Sequence, residues 1–162
     1  MSNVLIIGGG FAGVWAAAGV VRTCHEAGLR DTEIRVTLVA PGDDMVIRPR
    51  LYEPDPQQMR VPLDRVLGPI GVRRVAATVT GIETGSRTVI AIGRDGAQLA
   101  LPYDRLVLAA GSRVVRPTID GAEHLFDVDT MPGAAALHAH ILRLPTAPQE
   151  DGRFSAVVIG AG

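Results

Sequence analysis

Cysteine is nearly absent. The 162-residue chain has one, Cys24, which rules out an internal disulfide, a CxxC redox pair and a cysteine-rich metal site. It also fits a reducing, cytosolic compartment. No apolar run approaches the roughly 20 residues that a membrane helix requires. The opening "MSNVLII" has no basic stretch and leads straight into glycines, so a signal peptide is not expected. Net charge is −1, and no overall positive field favours nucleic acid or an anionic membrane. Low-complexity tracts are missing. The one internal echo lies between "NVLIIGGGFAG" (3–13) and "FSAVVIGAG" (154–162), each an apolar run that breaks into Gly-x-Gly.

Hydrophobic residues make up 47% of the chain, which is enough for a folded domain with a core. Val4 to Ile7 is a continuous apolar run rich in branched side chains, as in a strand buried on both faces of a parallel sheet. A glycine turn follows. The sequence then predicts a helix from Ala12 to about Gly28, with Gly28 as its C-terminal cap. "EIRVTLVA", Glu33 to Ala40, reads as a second strand, completing one βαβ unit. Pro41 to Met59 reads as a long loop, and a short helix is expected to end near Gly68. "ATVTGIE", "RTVIAI" and "AQLALP" alternate in polarity and are separated by "TGS" and "RDG", the pattern of an antiparallel meander. "RLVLAAGS", Arg105 to Ser112, is expected to be another buried strand running into a turn of small residues. Asp129 or Thr130 would cap a helix from Pro132 to about Leu144. "FSAVVIG" is expected to be a final strand.

Gly8-Gly9-Gly10-Phe11-Ala12-Gly13 is a GxGxxG between a predicted strand and a predicted helix, the context in which that motif binds a dinucleotide. Gly8 permits the tight turn, Gly10 lets a pyrophosphate approach the backbone, and Gly13 lets the helix pack close to the sheet. Phe11 and Ala12 lie in the first turn, where unpaired N–H groups and the positive dipole end face the phosphates. One residue of the usual pattern is missing. The second strand should end in an acid for the adenosine ribose, and here it ends in Ala40. Asp43 and Asp44 follow in the loop, either as replacements or as solvated loop acids.

The glycine motif does not separate FAD from NAD. Together with the meander, Tyr103-Asp104-Arg105-Leu106-Val107-Leu108-Ala109-Ala110-Gly111-Ser112 resembles the "YDxLVLATGS" segment of the pyridine nucleotide–disulfide oxidoreductase superfamily, with Ala110 where Thr is usual. The resemblance covers nearly the whole chain. "RPRLYE", Arg48 to Glu53, is similar to the "QPLLY"-like segment of type II NADH dehydrogenase-like proteins. It is also similar to the "RPPLSK" segment of FAD-dependent ferredoxin and rubredoxin reductases, but Glu53 holds the place of their lysine.

The resemblance implies an α/β fold: a Rossmann-like FAD-binding domain with a parallel sheet and an antiparallel meander insertion. It implies an incomplete FAD domain over 1–152. Residues 153–162 would then be the first strand and Gly-x-Gly of a truncated NAD(P)H-binding domain. Such a chain is expected to hold FAD weakly and to be inactive alone. The implied cofactors are FAD and, in a longer parent, NAD(P)H as hydride donor, with electrons passing on to a quinone or similar acceptor. The alternatives are a ferredoxin or rubredoxin reductase-like enzyme and a non-catalytic nucleotide-binding module.

The same resemblance assigns flavin-binding positions to Gly8, Gly10, Phe11, Ala12, Gly13, Ala40, Ala110 and Gly111. It adds Pro49 and Arg50 near the flavin or pyrophosphate, and the backbone of Ala77 at the adenine. No catalytic acid or base is named. It implies a cytoplasmic protein with no membrane span in this chain. Peripheral contact with the cytoplasmic face of the membrane would come through a C-terminal part, and a homodimer is left open. Disulfide reductases of the superfamily carry CxxxxC, so the solitary Cys24 argues against a thiol mechanism and is expected to pack in the core. Trp15 is likewise expected to pack. His25, His124, His138 and His140 suggest no metal site, because His138 and His140 are two apart and do not share a helix face.

Overall fold

The computed structural model describes residues 1–29 and 33–160. The chain is mixed α/β and divides into two compact units, residues 1–47 with 60–113, and residues 48–59 with 114–162. In the first unit, β1 (Ser2–Ile7), α1 (Phe11–Glu26) and β2 (Ile34–Ala40) form the expected βαβ unit. They are followed by β3 (Asp44–Val46), β4 (Arg60–Pro62) and α2 (Leu63–Leu67). Then come β5 (Arg73–Glu83), β6 (Thr88–Gly93), β7 (Gln98–Pro102) and β8 (Arg105–Leu108). The main sheet has six strands in the order β7-β6-β5-β2-β1-β8.

Its strands β5, β2, β1 and β8 run parallel, whereas β5-β6 and β6-β7 are antiparallel. The meander is thus continuous with the parallel sheet. One long strand serves both: Ala76 pairs with Ala40 of β2, and Ala77, the next residue, pairs with Gly93 of β6.

Alternation along β1 and β2 explains why both runs are apolar throughout. Ile6, Val36, Leu38 and Ala40 join Val14 and Ala17 of α1 and Leu63 and Leu67 of α2 in one core cluster. Leu5, Ile7 and Val39 join Ala77, Val89 and Ala91 in another. One face of the sheet is covered by helices and the other by the meander, and Ile6 and Leu38 are fully buried.

The end of α1 meets the expectation for Gly28. With Ala27 as C-cap, Gly28 takes φ +71°. Its N–H reaches the His25 carbonyl at 3.0 Å, and the Leu29 N–H reaches that of Cys24 at 2.9 Å. This pair of bonds is the Schellman motif, which needs a left-handed residue at the Gly28 position.

In the second unit, α3 (Met131–Arg143) is capped by Thr130, whose Oγ1 accepts from the Gly133 N–H at 3.1 Å. Of the two predicted caps, Asp129 is instead engaged by Arg48, whose Nε donates to the Asp129 carbonyl at 3.1 Å. The Arg48 guanidinium also pairs with the Asp129 carboxylate. Arg116 pairs with Asp127 in the same network, and Phe126 packs against His140 with ring centroids 4.8 Å apart.

Five expectations are corrected. Pro41 to Met59 is not a plain loop, because it contributes β3, which pairs antiparallel with β4, and short 3-10 turns at Arg48–Arg50 and Pro56–Gln58. β8 is not a buried strand: it lies at the sheet edge, and Leu108 is 65% exposed. Trp15 does not pack and is 72% exposed. Cys24 is half-buried and borders a cleft rather than joining either core cluster. "FSAVVIG" forms no strand, and Val157 and Val158 are about as open to solvent as side chains become, at 86% and 85%. An apolar run needs a sheet partner to become a strand, and this one has none among the described residues. Ala161 and Gly162 of the terminal Gly-x-Gly lie outside those residues.

Candidate nucleotide-binding site

β2 and β8 flank β1 on opposite sides, so the strand order reverses at β1. In open α/β sheets, ligands bind at the carboxyl ends of the strands where such a reversal occurs. The glycine turn stands at that point. The Gly8 N–H is held by the Val39 carbonyl at 2.9 Å, and the Ile7 carbonyl accepts from the Ala109 N–H at 2.8 Å. Three strand ends are thereby tied together around Gly8.

The three motif glycines are required for different reasons. Gly8 has φ +117°, and a β-carbon there would fall 2.1 Å from the Ala109 carbonyl oxygen. A β-carbon on Gly13 would fall 1.9 Å from the Gly8 carbonyl oxygen. These two positions are closed to any other residue by backbone, which does not yield as a flexible side chain would. Gly10 differs. Its φ is −84°, an ordinary value, and nothing lies within 4 Å of where its β-carbon would be. The structure itself does not demand glycine there, so the open space over Gly10 is what a β-carbon would take away. Phe11, Ala12 and Gly13 begin α1, whose N-terminus has no side-chain cap and no acidic residue in its first turn. Its N–H groups and dipole therefore favour an anion.

Gly9, the variable position of the motif, is also constrained. A β-carbon there would approach Ala40 Cβ and Leu63 Cδ1 at 3.0 Å each. Sequence reasoning passed over it, because the partners come from β2 and α2. The same contact places Ala40, buried at the end of β2, beside the glycine turn. On the other flank, Ala109 crosses over Gly8, and Ala110 and Gly111 continue exposed, with Gly111 at φ +79°. Ala77 is buried at the junction of parallel sheet and meander.

Asp104 of the "YDRLVLAAGS" segment has a structural task. Its Oδ2 accepts from the Asn3 N–H at 2.7 Å, and its own N–H donates to the Asn3 carbonyl at 2.9 Å. These bonds fix the register of β8 on β1.

Pro49 and Arg50 belong to the second unit and are exposed on the 3-10 turn. Arg50 pairs with Glu53 through Nε and Nη2, at 3.2 and 3.1 Å from one carboxylate oxygen. Glu53, which holds the place of a lysine in the ferredoxin reductase segment, thus anchors Arg50 here.

Beyond Ala40 lies a charged cluster that the sequence did not disclose. Arg74, at the start of β5, forks onto Asp64 at 2.8 and 3.3 Å. Its Nη1 lies 2.9 Å from Asp43 Oδ1. Arg94, in the β6–β7 turn, reaches the same Oδ1 at 2.6 Å and donates to the Pro41 carbonyl at 3.2 Å. The hydrogen bond from Arg94 holds the Asp43 carboxyl below the usual aspartate range. Burial works against this, while the charges of Arg94 and Arg74 add to it. The bond to Asp64 is the first cause that raises Arg74 above the ordinary arginine value. Asp44 is a separate case, paired with Arg60 at 3.6 Å across the β3–β4 ribbon.

A family profile, pyridine nucleotide-disulphide oxidoreductase, matches residues 2–162. The chain belongs to this family. It is 44% identical over 163 aligned positions to an NADH dehydrogenase-like protein of Mycobacterium tuberculosis. The match covers all of this chain and 40% of that relative's length.

Among solved structures, the sulfide:quinone oxidoreductase of Aquifex aeolicus superposes with a TM-score of 0.72 at 21% identity. That superposition covers 91% of this chain and 33% of the other. NDH2 of Plasmodium falciparum, solved with NADH, gives a TM-score of 0.70 at 16% identity over 93% of this chain and 31% of that one. The water-forming NADH oxidase of Lactobacillus brevis gives 0.69 at 21% identity, over 90% and 32%. At these identities the structures establish the fold, and the family is one of flavoprotein oxidoreductases on a Rossmann-type nucleotide-binding scaffold. The resemblance to NADH dehydrogenase-like proteins is borne out. No helix among the described residues is long and apolar enough to cross a membrane.

Proposed function

We propose that this chain supplies the FAD-binding part of an NAD(P)H oxidoreductase that delivers electrons to a quinone. The observation that carries the reading is the glycine turn at the strand-order reversal. Backbone crowding accounts for Gly8 and Gly13, whereas Gly10, the N-cap of α1, leaves open space that a ligand can use. A pyrophosphate fits that opening, because the N–H groups at the start of α1 are uncapped and no carboxylate competes there. Gly8, Gly10, Phe11, Ala12 and Gly13 would hold the pyrophosphate. Ala110 and Gly111 would let the backbone come close to the flavin, and the Ala77 backbone would meet the adenine. The resemblance also assigns Pro49 and Arg50 to the flavin or pyrophosphate, and an arginine suits phosphate through paired donors.

FAD, when bound, supplies hydride acceptance from NAD(P)H and onward electron transfer, and the protein's part is to bind, orient and tune it. No side chain described above is assigned acid or base chemistry. Residues 153–162 would open the NAD(P)H-binding part, and the 44% identical mycobacterial relative supports NADH as the donor. Peripheral attachment at the cytoplasmic face of the membrane would suit delivery to quinone.

The test uses the product of the complete gene. It should purify yellow and oxidise NADH with a soluble quinone, faster than with a small iron–sulfur protein. A colourless product that takes up no FAD contradicts the reading. A yellow product that prefers the iron–sulfur protein keeps the flavin site and replaces the acceptor.

A further inference from the structure

We infer that Asp43, clamped by Arg94 and Arg74, is the carboxylate that receives the adenosine ribose hydroxyls of the dinucleotide. It would do so in place of an acid at the end of β2. This inference rests on the flavin reading above and assigns one residue and one positioning device within it.

The two ends of the clamp fix where this carboxylate stands. Ala40 ends β2 against the glycine turn, within 3.0 Å of a Gly9 β-carbon, and Asp43 follows three residues later. Arg94 directly follows Gly93, the register partner of Ala77. The Asp43–Arg94 pair therefore joins the segment beyond the glycine turn to the strand position proposed for the adenine. A ribose lies between an adenine and a pyrophosphate in the covalent structure of any such dinucleotide.

The chemistry also suits the role. Both arginines bind the same oxygen, Asp43 Oδ1, at 2.6 and 2.9 Å. The Asp43 side chain is still 54% exposed. A carboxylate anchored by two arginines and open to solvent accepts from a hydroxyl without having to be ordered first. Arg74 is itself immobilised by its fork onto Asp64 and is only 17% exposed, so the anchor is stiff. Asp44 is not equivalent, being paired with Arg60 on the β3–β4 ribbon. Arg94 is a positioning residue in this scheme, and it gives the meander a part in nucleotide recognition.

The experiment is a titration of this chain with FAD and with an FAD analogue lacking both adenosine ribose hydroxyls, followed by flavin fluorescence anisotropy. The wild-type chain should bind FAD more tightly than the analogue. Asp43→Ala should weaken FAD by about ten- to a hundredfold, the range of a hydrogen bond to a charged group, and should leave the analogue unchanged. Arg94→Met should show the same pattern with a smaller loss. If Asp43→Ala does not fold, Asp43→Asn, with the same shape, is read in the same way. Equal losses for FAD and the analogue would assign Asp43 a structural role and overturn the inference. So would unchanged FAD affinity in the Asp43 variant. Failure of the wild-type chain to bind FAD at all would overturn the flavin reading, and this assignment with it.

Discussion

A β-carbon on Gly13 would stand 1.9 Å from the carbonyl oxygen of Gly8. The first helix therefore rests directly on the backbone of the turn that precedes it. Gly13→Ala should destabilise the fold by about 1–3 kcal/mol, the usual range for overpacking a tight site. Urea midpoints measure it. Gly10→Ala is the control, because its β-carbon meets nothing. Its stability should fall by less than about 1 kcal/mol, while FAD affinity should fall clearly. Gly13 is thus expected to register in folding and Gly10 in binding.

Gly28 closes α1 with φ +71° and two reverse hydrogen bonds. Gly28→Ala should cost about 1 kcal/mol, since a β-carbon is strained in the left-handed region. Thr130→Ala removes the acceptor for the Gly133 N–H and should cost α3 about 1 kcal/mol, with Thr130→Ser recovering most of it. Thermal melts of the variants test both values.

Asp104 and Asn3 exchange two hydrogen bonds that set β8 on β1. Asp104→Ala should lower stability by about 1 kcal/mol and speed amide exchange along β8 selectively. Uniform exchange across the whole sheet would show that the register lock has no such local role.

The depressed Asp43 carboxyl makes a pH prediction with a definite sign. A group whose folded-state value lies below its unfolded value stabilises the fold above the unfolded value. That contribution is lost as pH falls through the folded value. The Asp43 contribution should therefore be complete above about pH 4 and fade on further acidification. NMR titration of Asp43 reports this directly. In Arg94→Met its midpoint should move up toward the ordinary aspartate value, since the hydrogen bond from Arg94 is the leading cause of the depression.

Much of this architecture was legible in local pattern. The apolar runs of β1 and β2 read as strands buried on both faces, and they are, because helices cover one side and the meander the other. The turn signals of the meander and the glycine cap of α1 depend on backbone conformations that few residues tolerate, so they too were visible. What stayed hidden depends on partners distant in sequence. Nothing near Asp43 announces that Arg74 and Arg94 will converge on it. Gly9 occupies a variable position of its motif, yet Ala40 and Leu63 close around it. The run at 154–160 has the composition of a strand, but composition does not supply the neighbouring strand that a sheet requires. Trp15 shows the same limit, since an aromatic on a core helix packs only if something faces it.

The central claim is that the open space over Gly10 is a flavin nucleotide site. The most direct measurement is FAD binding, by flavin fluorescence anisotropy, to the wild-type chain and to Gly10→Val, with thermal melts of both. The account predicts saturable binding to the wild type, weak or not, and none to Gly10→Val, while Gly10→Val still melts cooperatively with a loss of only about 1 kcal/mol. Absence of saturable binding to the wild type, or undiminished binding to Gly10→Val, would contradict it.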